Sequence, residues 1–172
     1  TFTGGERMSF EKILAKLDEF GCRLVEVTGG EPLAQKRVFP FITELCNSGY
    51  EVLIETGGYV STENVDPRAK IILDVKCPAS GEAERNHWPN LAHLRPEKDE
   101  VKFVVADLAD WDFAKTIIEK YGLVSRAKEI LISPVHGVAM RSLAEAVSRS
   151  GLEVRLNLQL HKYIWGAETR GV

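Results

Sequence analysis

Apolar residues occur at two different spacings along the chain, and the two spacings alternate. Short runs of β-branched and apolar residues predict strands over residues 24–28, 51–56, 70–76, 100–105, 129–132 and 153–156. Apolar residues at every third or fourth position predict helices that end at Gly21, Gly49, Gly122 and Gly151. Because strands alternate with helices over residues 1–172, we expect one α/β domain with a mostly parallel sheet, either a partial barrel or doubly wound.

One long segment, from Glu82 to Asp99, follows neither spacing. Its polar and irregular pattern predicts a loop or a short helix. The charged residues 97–100 at its end predict a solvated turn, because a run of charges is usually exposed to water.

Two neighbouring predicted strands end in the same three residues. Thr28-Gly-Gly and Thr56-Gly-Gly lie 28 residues apart, about one strand–helix unit. Because parallel strands end at the same edge of a sheet, where ligands bind in such folds, the glycines predict a place where a ligand contacts the backbone closely. Glu31 follows the first motif, and its carboxylate there suits an ammonium or a ribose hydroxyl.

Polar residues also follow the other strands. The set expected at this edge is Thr28, Gly30, Glu31, Glu55, Thr56, Asp74, Lys76, Ser80, Ser133, His136, Gln159, His161 and Lys162. It suits a small ligand with amines, carboxylates and ring nitrogens. It contains no nucleophile elbow, zinc-binding histidine pair or phosphate loop, so it predicts a binding cavity that needs a cofactor. Lys102 lies inside its strand and predicts either a polar cavity or a structural ion pair.

Composition narrows the class of protein. An apolar fraction of 44% and a charged fraction of 27% are typical of a soluble globular protein, and the net charge of -3 argues against nucleic-acid binding. No apolar run is long enough for a membrane helix. Cys22, Cys46 and Cys77 fit neither a metal site nor a disulfide framework, so we expect reduced thiols in a cytoplasmic protein. Cys22 and Cys46 are predicted to pack as apolar residues, and only Cys77 is placed near a strand end.

Residues 27–32, Val-Thr-Gly-Gly-Glu-Pro, resemble the Gly-Gly-Glu-Pro motif of radical S-adenosylmethionine enzymes. Five further segments, at residues 54–58, around Lys76, at 100–103, at 132–134 and at 159–163, occur in the order found in the 7-carboxy-7-deazaguanine synthase family. The resemblance spans essentially the whole chain. It implies a partial barrel of the (β/α)6 type and a lyase that converts 6-carboxy-5,6,7,8-tetrahydropterin to 7-carboxy-7-deazaguanine, releasing ammonia, in queuosine biosynthesis.

The resemblance also implies cofactors and site residues. It implies S-adenosylmethionine, a four-iron–four-sulfur cluster and Mg²⁺, with the cluster cysteines and the magnesium-binding threonine expected upstream of Thr1. S-adenosylmethionine is expected at Gly29, Gly30, Glu31, Asp74, Val75, Lys76, Ser133, Pro134, Val135 and His136. The pterin is expected at Thr28, Glu55, Gln159 and His161. Asp74 and Val75 depart from the Ser-Pro that many members carry there.

Because the cluster loop and the first barrel strand would precede Thr1, we expect the chain as given to lack metal ligands and to be inactive alone. A homodimer and an external electron donor such as flavodoxin are the expected partners, with no direct nucleic acid and no membrane. Two alternatives stay open: a glycyl-radical-enzyme activase and a non-catalytic α/β binding module. Gln159 and His161 argue against the activase, because they suit a heterocycle better than a protein substrate.

Overall fold

Six parallel strands form one sheet in the order in which they occur along the chain. The structure is a computed structural model that describes residues 5–166 and Thr169. Of His161, only the backbone is described. The strands are β1 Leu24–Val27, β2 Glu51–Thr56, β3 Lys70–Val75, β4 Glu100–Val105, β5 Glu129–Pro134 and β6 Arg155–Leu156. Each strand pairs in parallel with the next, and β1 and β6 do not pair with each other. The sheet is therefore an open, partial barrel, and the predicted fold class is confirmed.

Five α-helices accompany the strands in the described part of the chain. They are α1 Phe10–Phe20, α2 Val38–Asn47, α3 Leu108–Tyr121, α4 Met140–Arg149 and α5 Leu160–Ile164. Short 3-10 helices cover Pro32–Ala34, Pro78–Ser80, Ala83–Arg85, Trp88–Ala92 and Leu123–Ser125. None of the described helices could cross a membrane: the longest, α3, has 14 residues and carries several charges.

The predicted helix boundaries have identifiable causes. The Ser9 hydroxyl accepts a hydrogen bond from the Lys12 amide, and the Asp107 carboxylate accepts one from the Asp110 amide, so both side chains cap a helix N-terminus. Gly122 ends α3 at a φ of 59°, a left-handed conformation that costs glycine little. The predicted helix ends at Gly21 and Gly122 are confirmed, because each of these glycines is the C-cap residue of its helix.

The last predicted strand is shorter than its pattern suggests. Only Arg155 and Leu156 pair with β5. The amide of Val154 instead donates to the carbonyl of Leu152, which turns the chain before it reaches the sheet. The prediction of a strand over residues 153–156 is therefore wrong for its first half.

The two faces of the sheet differ in polarity, because side chains alternate between faces along each strand. One face is apolar and packs against α2, α3 and α4 through Val52, Ile54, Ile71, Leu73, Val101, Phe103, Ile130 and Ile132. The opposite face, which we call the polar face, carries Glu26, Glu55, Lys70, Asp74, Glu100, Lys102, Glu129, Ser133 and Arg155. The helices α2, α3 and α4 thus bury one face of the sheet and leave the polar face uncovered by them.

A buried ion pair fixes the amino ends of the strands. Asp99 has 0% of its surface exposed and accepts hydrogen bonds from the Ile71 amide and from the Arg95 backbone and guanidinium. The Arg95 guanidinium also donates to the carbonyls of Pro67 and Ala69. The prediction of a solvated turn over residues 97–100 is wrong at Asp99, because the carboxylate there satisfies donors from both β3 and Arg95.

We expect Asp99→Ala to lower the free energy of unfolding by about 3–5 kcal/mol, because it leaves the Arg95 charge and the Ile71 amide buried without their acceptor. Urea denaturation measures the change. The matched control is Glu145→Ala, which removes an exposed pair with Arg149 and should cost less than about 1 kcal/mol. Equal losses in the two variants would contradict the structural role given to Asp99.

Candidate functional site

The Glu31 carboxylate connects the turns that follow β1 and β2. Only 4% of Glu31 is exposed. One carboxylate oxygen accepts from the Leu33 amide at 2.9 Å, and the other accepts from the Gly57 amide at 2.9 Å. The Thr56 hydroxyl lies 2.8 and 2.9 Å from the two oxygens. The two Thr-Gly-Gly motifs are therefore brought together, as the sequence predicts, and Glu31 is the group that joins them.

Gly57 lies directly beside this contact. A Cβ at position 57 would lie 3.4 Å from a Glu31 oxygen and 3.6 Å from Cε of Lys76, in van der Waals contact with both. At the first motif, Gly29 has a φ of 142°, which disfavours other residues. Direct contact between Glu31 and a ligand stays a prediction. In the structure, the Glu31 oxygens accept hydrogen bonds from three donors of the chain itself.

Glu55 and Lys102 form an ion pair on the polar face. The Lys102 Nζ lies 2.5 Å from one Glu55 oxygen, and the Thr28 hydroxyl lies 3.4 Å from the other. Side-chain exposure is 30% for Glu55 and 16% for Lys102. Of the four predicted substrate residues, the structure thus brings together Thr28 and Glu55. It also places Lys102 in an ion pair, one of the two environments that its position in the strand predicts.

The negative charge of Glu55 is felt by its neighbour Glu26. Burial raises the pKa of the Glu26 carboxyl, the charge of Glu55 raises it further, and Lys102 opposes both effects. Glu26 therefore holds its proton to a higher pH than a free glutamate does. The environment at this end of the polar face favours cationic or N–H-bearing groups over additional negative charge.

Asp74 and Lys76 form a second ion pair where β3 ends. Lys76 Nζ lies 2.6 Å from one Asp74 oxygen. The other oxygen, Oδ1, is buried and has no hydrogen-bond partner among the described residues, although only 8% of Asp74 is exposed. A buried acceptor without a donor is costly, so an ammonium or hydroxyl of a ligand fits this position. Val75 points into the core, which leaves only its backbone for a ligand.

A further group of predicted residues lies where β5 ends. Ser133 is fully buried, and its hydroxyl oxygen accepts from the Asn157 side chain at 3.2 Å. The ring centroid of His136 lies 5.7 Å from that of Tyr163 on α5. The Gln159 side-chain oxygen is buried without a partner among the described residues, and the side chain of the predicted His161 lies outside them.

Sequence reasoning missed two asparagines in these contacts. The Asn86 side chain accepts from the Lys76 amide and donates to the Lys76 carbonyl, both at 2.9 Å, and so fixes the backbone where β3 ends. No local pattern points to it, because it lies ten residues from Lys76 in an irregular segment. Asn157 could have been found, because it directly follows the strand Arg155–Leu156 at the edge where the other polar residues lie.

Comparison with known proteins decides the family. No protein-family model matches the chain. Three curated relatives, each named 7-carboxy-7-deazaguanine synthase, align over nearly all of it. The relative from Koribacter versatilis is 42% identical over 100% of this chain and 82% of its own length, and that from Chlorobaculum tepidum is 43% identical over 98% and 77%. The relative from Thermoplasma acidophilum is 33% identical over 96% and 78%.

The chain belongs to the 7-carboxy-7-deazaguanine synthase family. The family predicted from the sequence is confirmed, and so is the prediction that the chain is an enzyme, a lyase. The open, all-parallel sheet agrees with the partial barrel expected for this family.

The cysteines of this 7-carboxy-7-deazaguanine synthase family member do not form a cluster site. Burial, together with the charges of Asp110 and Asp74, raises the pKa of the Cys77 thiol to about 12, so Cys77 is a poor metal ligand and nucleophile. Cys22 is exposed, so the prediction that it packs as an apolar residue is wrong. Cys46 lies on α2. Among the described residues, no group of three histidine, cysteine, aspartate or glutamate side chains could hold a metal. The described residues therefore do not fit an iron–sulfur cluster.

We expect Glu31→Gln to lower the free energy of unfolding by about 1–3 kcal/mol. The NH2 group of glutamine is a donor in place of one carboxylate oxygen, so the amide of either Leu33 or Gly57 loses its acceptor. Urea denaturation gives the cost, and hydrogen exchange should be faster at the Leu33 or the Gly57 amide. Thr56→Ser keeps the hydroxyl donor and should leave both exchange rates close to the parent's. Unchanged exchange at both amides in Glu31→Gln would contradict the connecting role.

Proposed function

We propose that the protein converts 6-carboxy-5,6,7,8-tetrahydropterin to 7-carboxy-7-deazaguanine with release of ammonia, using S-adenosylmethionine, in 7-deazapurine and queuosine biosynthesis. Membership of the 7-carboxy-7-deazaguanine synthase family supports the product. The polar face supports the substrate, because it offers acceptors and donors to a small polar heterocycle. The observation that carries the proposal is the convergence of Thr28 and Glu55 at the carboxyl ends of β1 and β2.

The Glu55 carboxylate suits one edge of the pterin. That edge is guanidine-like and presents paired N–H donors, which a carboxylate accepts side by side. Glu55 is 30% exposed, and its contact with Thr28 is long at 3.4 Å, so a ligand donor can displace it. Gln159 and His161 remain the proposed contacts to the rest of the heterocycle, and the buried, unpartnered oxygen of Gln159 supports its part.

S-adenosylmethionine fits the neighbouring strand ends. Peptide groups at Gly29 and Gly30 are open to a close ligand, and a Cβ at Gly29 would meet no atom within 4 Å. Asp74 Oδ1 offers an acceptor to an ammonium or a ribose hydroxyl, and Lys76 neutralises the other oxygen. The backbone of residues 133–136 completes the proposed site. When bound, S-adenosylmethionine supplies the group that abstracts a hydrogen atom from the substrate.

The chain's own residues have to hold the substrate and restrict water around the reacting carbon. Glu55, Thr28 and Gln159 would orient the heterocycle on the polar face, and orientation of two reactants is a large part of such catalysis. Among the described residues, no group of three or more histidine, cysteine, aspartate or glutamate side chains could hold a metal. Binding and orientation are the part we propose for these residues, and the predicted electron donor, homodimer and cytoplasmic location stay predictions.

The test is anaerobic reconstitution of the full-length gene product with iron and sulfide, followed by incubation with the carboxylated tetrahydropterin, S-adenosylmethionine, Mg²⁺ and a reductant. Mass spectrometry should detect 7-carboxy-7-deazaguanine. Glu55→Gln should lower kcat/KM by about 10-fold or more, because a charged acceptor is lost. Glu51→Gln, on the same strand and the same face but at its far end, should change it less than about 2-fold.

Two results would count against the proposal. A reconstituted protein that cleaves S-adenosylmethionine but yields no deazaguanine would point to another substrate, such as the protein substrate of a glycyl-radical-enzyme activase. A full-length product that binds no cluster would favour a non-catalytic binding module.

A further inference from the structure

Cationic side chains on the polar face already have carboxylate partners. Lys70 pairs with Glu100 at 2.6 Å, Lys76 with Asp74 at 2.6 Å, Lys102 with Glu55 at 2.5 Å and Arg155 with Glu129 at 2.8 Å. A ligand that brings a carboxylate to this face therefore meets, among the described strands, no lysine or arginine that lacks a partner. It needs a cation of its own or has to take one from an existing pair.

The pair between Lys102 and Glu55 differs from the others in its geometry. Asp74 is the residue opposite Lys102 on the adjacent strand, but Asp74 is engaged by Lys76. Lys102 instead extends across β3 to reach Glu55 on β2. Because neighbouring strands lie about 4.8 Å apart, this ion pair spans about 10 Å of the sheet, a length that a bicyclic heterocycle can cover.

We propose that Lys102 determines specificity for a carboxylated substrate by exchanging partners when the substrate binds. The proposal rests on the proposed function. The N–H donors of the pterin edge replace the Lys102 ammonium at Glu55, and the displaced ammonium pairs with the carboxylate at the far end of the same ligand. Each charged group then has a partner both before and after binding.

The burial of Lys102 makes this exchange selective. Its side chain is only 16% exposed, so an ammonium that loses Glu55 without gaining another anion would remain largely desolvated. Leaving one member of a buried pair without a partner is strongly unfavourable. A heterocycle that has the same guanidine-like edge but no carboxylate would displace the Lys102 ammonium from Glu55 and offer it no other anion. It should therefore bind less tightly than the carboxylated ligand.

Asp74 offers a competing destination for the displaced ammonium. Its Oδ1 is unpartnered among the described residues, and Asp74 lies directly opposite Lys102 in the sheet. If Lys102 moved to Asp74, the Asp74 carboxylate would replace Glu55 as the partner of the ammonium. Affinity would then not depend on the carboxylate of the ligand through Lys102, so the two destinations predict different measurements.

The experiment measures anaerobic equilibrium binding of two ligands to the full-length protein, 6-carboxy-5,6,7,8-tetrahydropterin and 5,6,7,8-tetrahydropterin. Each titration is run with EDTA and with Mg²⁺, since a divalent cation can also hold a carboxylate. Lys102→Gln should weaken the carboxylated ligand by about 10-fold or more and leave the other ligand unchanged or tighter. The matched control is Lys70→Gln, which breaks a similar pair on the same face and should change both affinities by the same small factor.

Glu55→Gln completes the test, because it should weaken both ligands together through their shared edge. Equal weakening of the two ligands by Lys102→Gln would overturn the proposal and leave Lys102 as a structural partner of Glu55. A selective Lys102 effect that appears only in an Asp74→Asn background would also overturn it, in favour of movement to Asp74 in the parent protein. Failure of the parent protein to bind either ligand would instead reject the proposed function on which the inference rests.

Discussion

The side-chain alternation of a parallel sheet is the constraint on which the rest of this structure depends. Within each strand, alternate residues fall on the same face, and the register of the strand pairs makes each face continuous from β1 to β6. Helices bury the apolar face through residues such as Ile54 and Phe103. The charged residues are then left on the opposite face, where a charge that is buried needs an ion pair or a ligand contact.

Ion pairing explains how this face stays stable without a ligand. Four carboxylates on this face each accept a hydrogen bond from a lysine or arginine. They belong to Glu55, Asp74, Glu100 and Glu129. Partly buried pairs such as that between Lys70 and Glu100 add little net stability, since desolvation offsets much of the attraction between the charges. In the exchange proposed above, these pairs keep polar groups oriented until a ligand replaces one of the partners.

Much of this arrangement could be predicted from the sequence. Strand and helix positions followed from apolar spacing, and the repeat of Thr-Gly-Gly at Thr28 and Thr56 correctly placed two strand ends side by side. The truncated β6 could not be predicted, because Glu153 and Val154 have strand-like neighbours and only the turn at Leu152 excludes them. Asp99 was misjudged for a similar reason: one of its donors, the Ile71 amide, comes from a strand far away in sequence.

The ion pairs between side chains of different strands could not be predicted from the sequence either. The position of Lys102 inside a strand indicated a polar environment, but nothing local showed that Lys76 would occupy Asp74 and send Lys102 across to Glu55. The same holds for Glu31, whose motif suggested a ligand and whose carboxylate holds Leu33 and Gly57. Such choices depend on which donors the folded chain brings together.

We propose that the substrate lies on the polar face with its guanidine-like edge at Glu55. A crystal structure of the full-length protein with the carboxylated tetrahydropterin tests this placement. Ring N–H groups should lie about 3 Å from the Glu55 oxygens, with Lys102 moved away from them. A pterin bound elsewhere, with Lys102 still on Glu55, would rule the placement out.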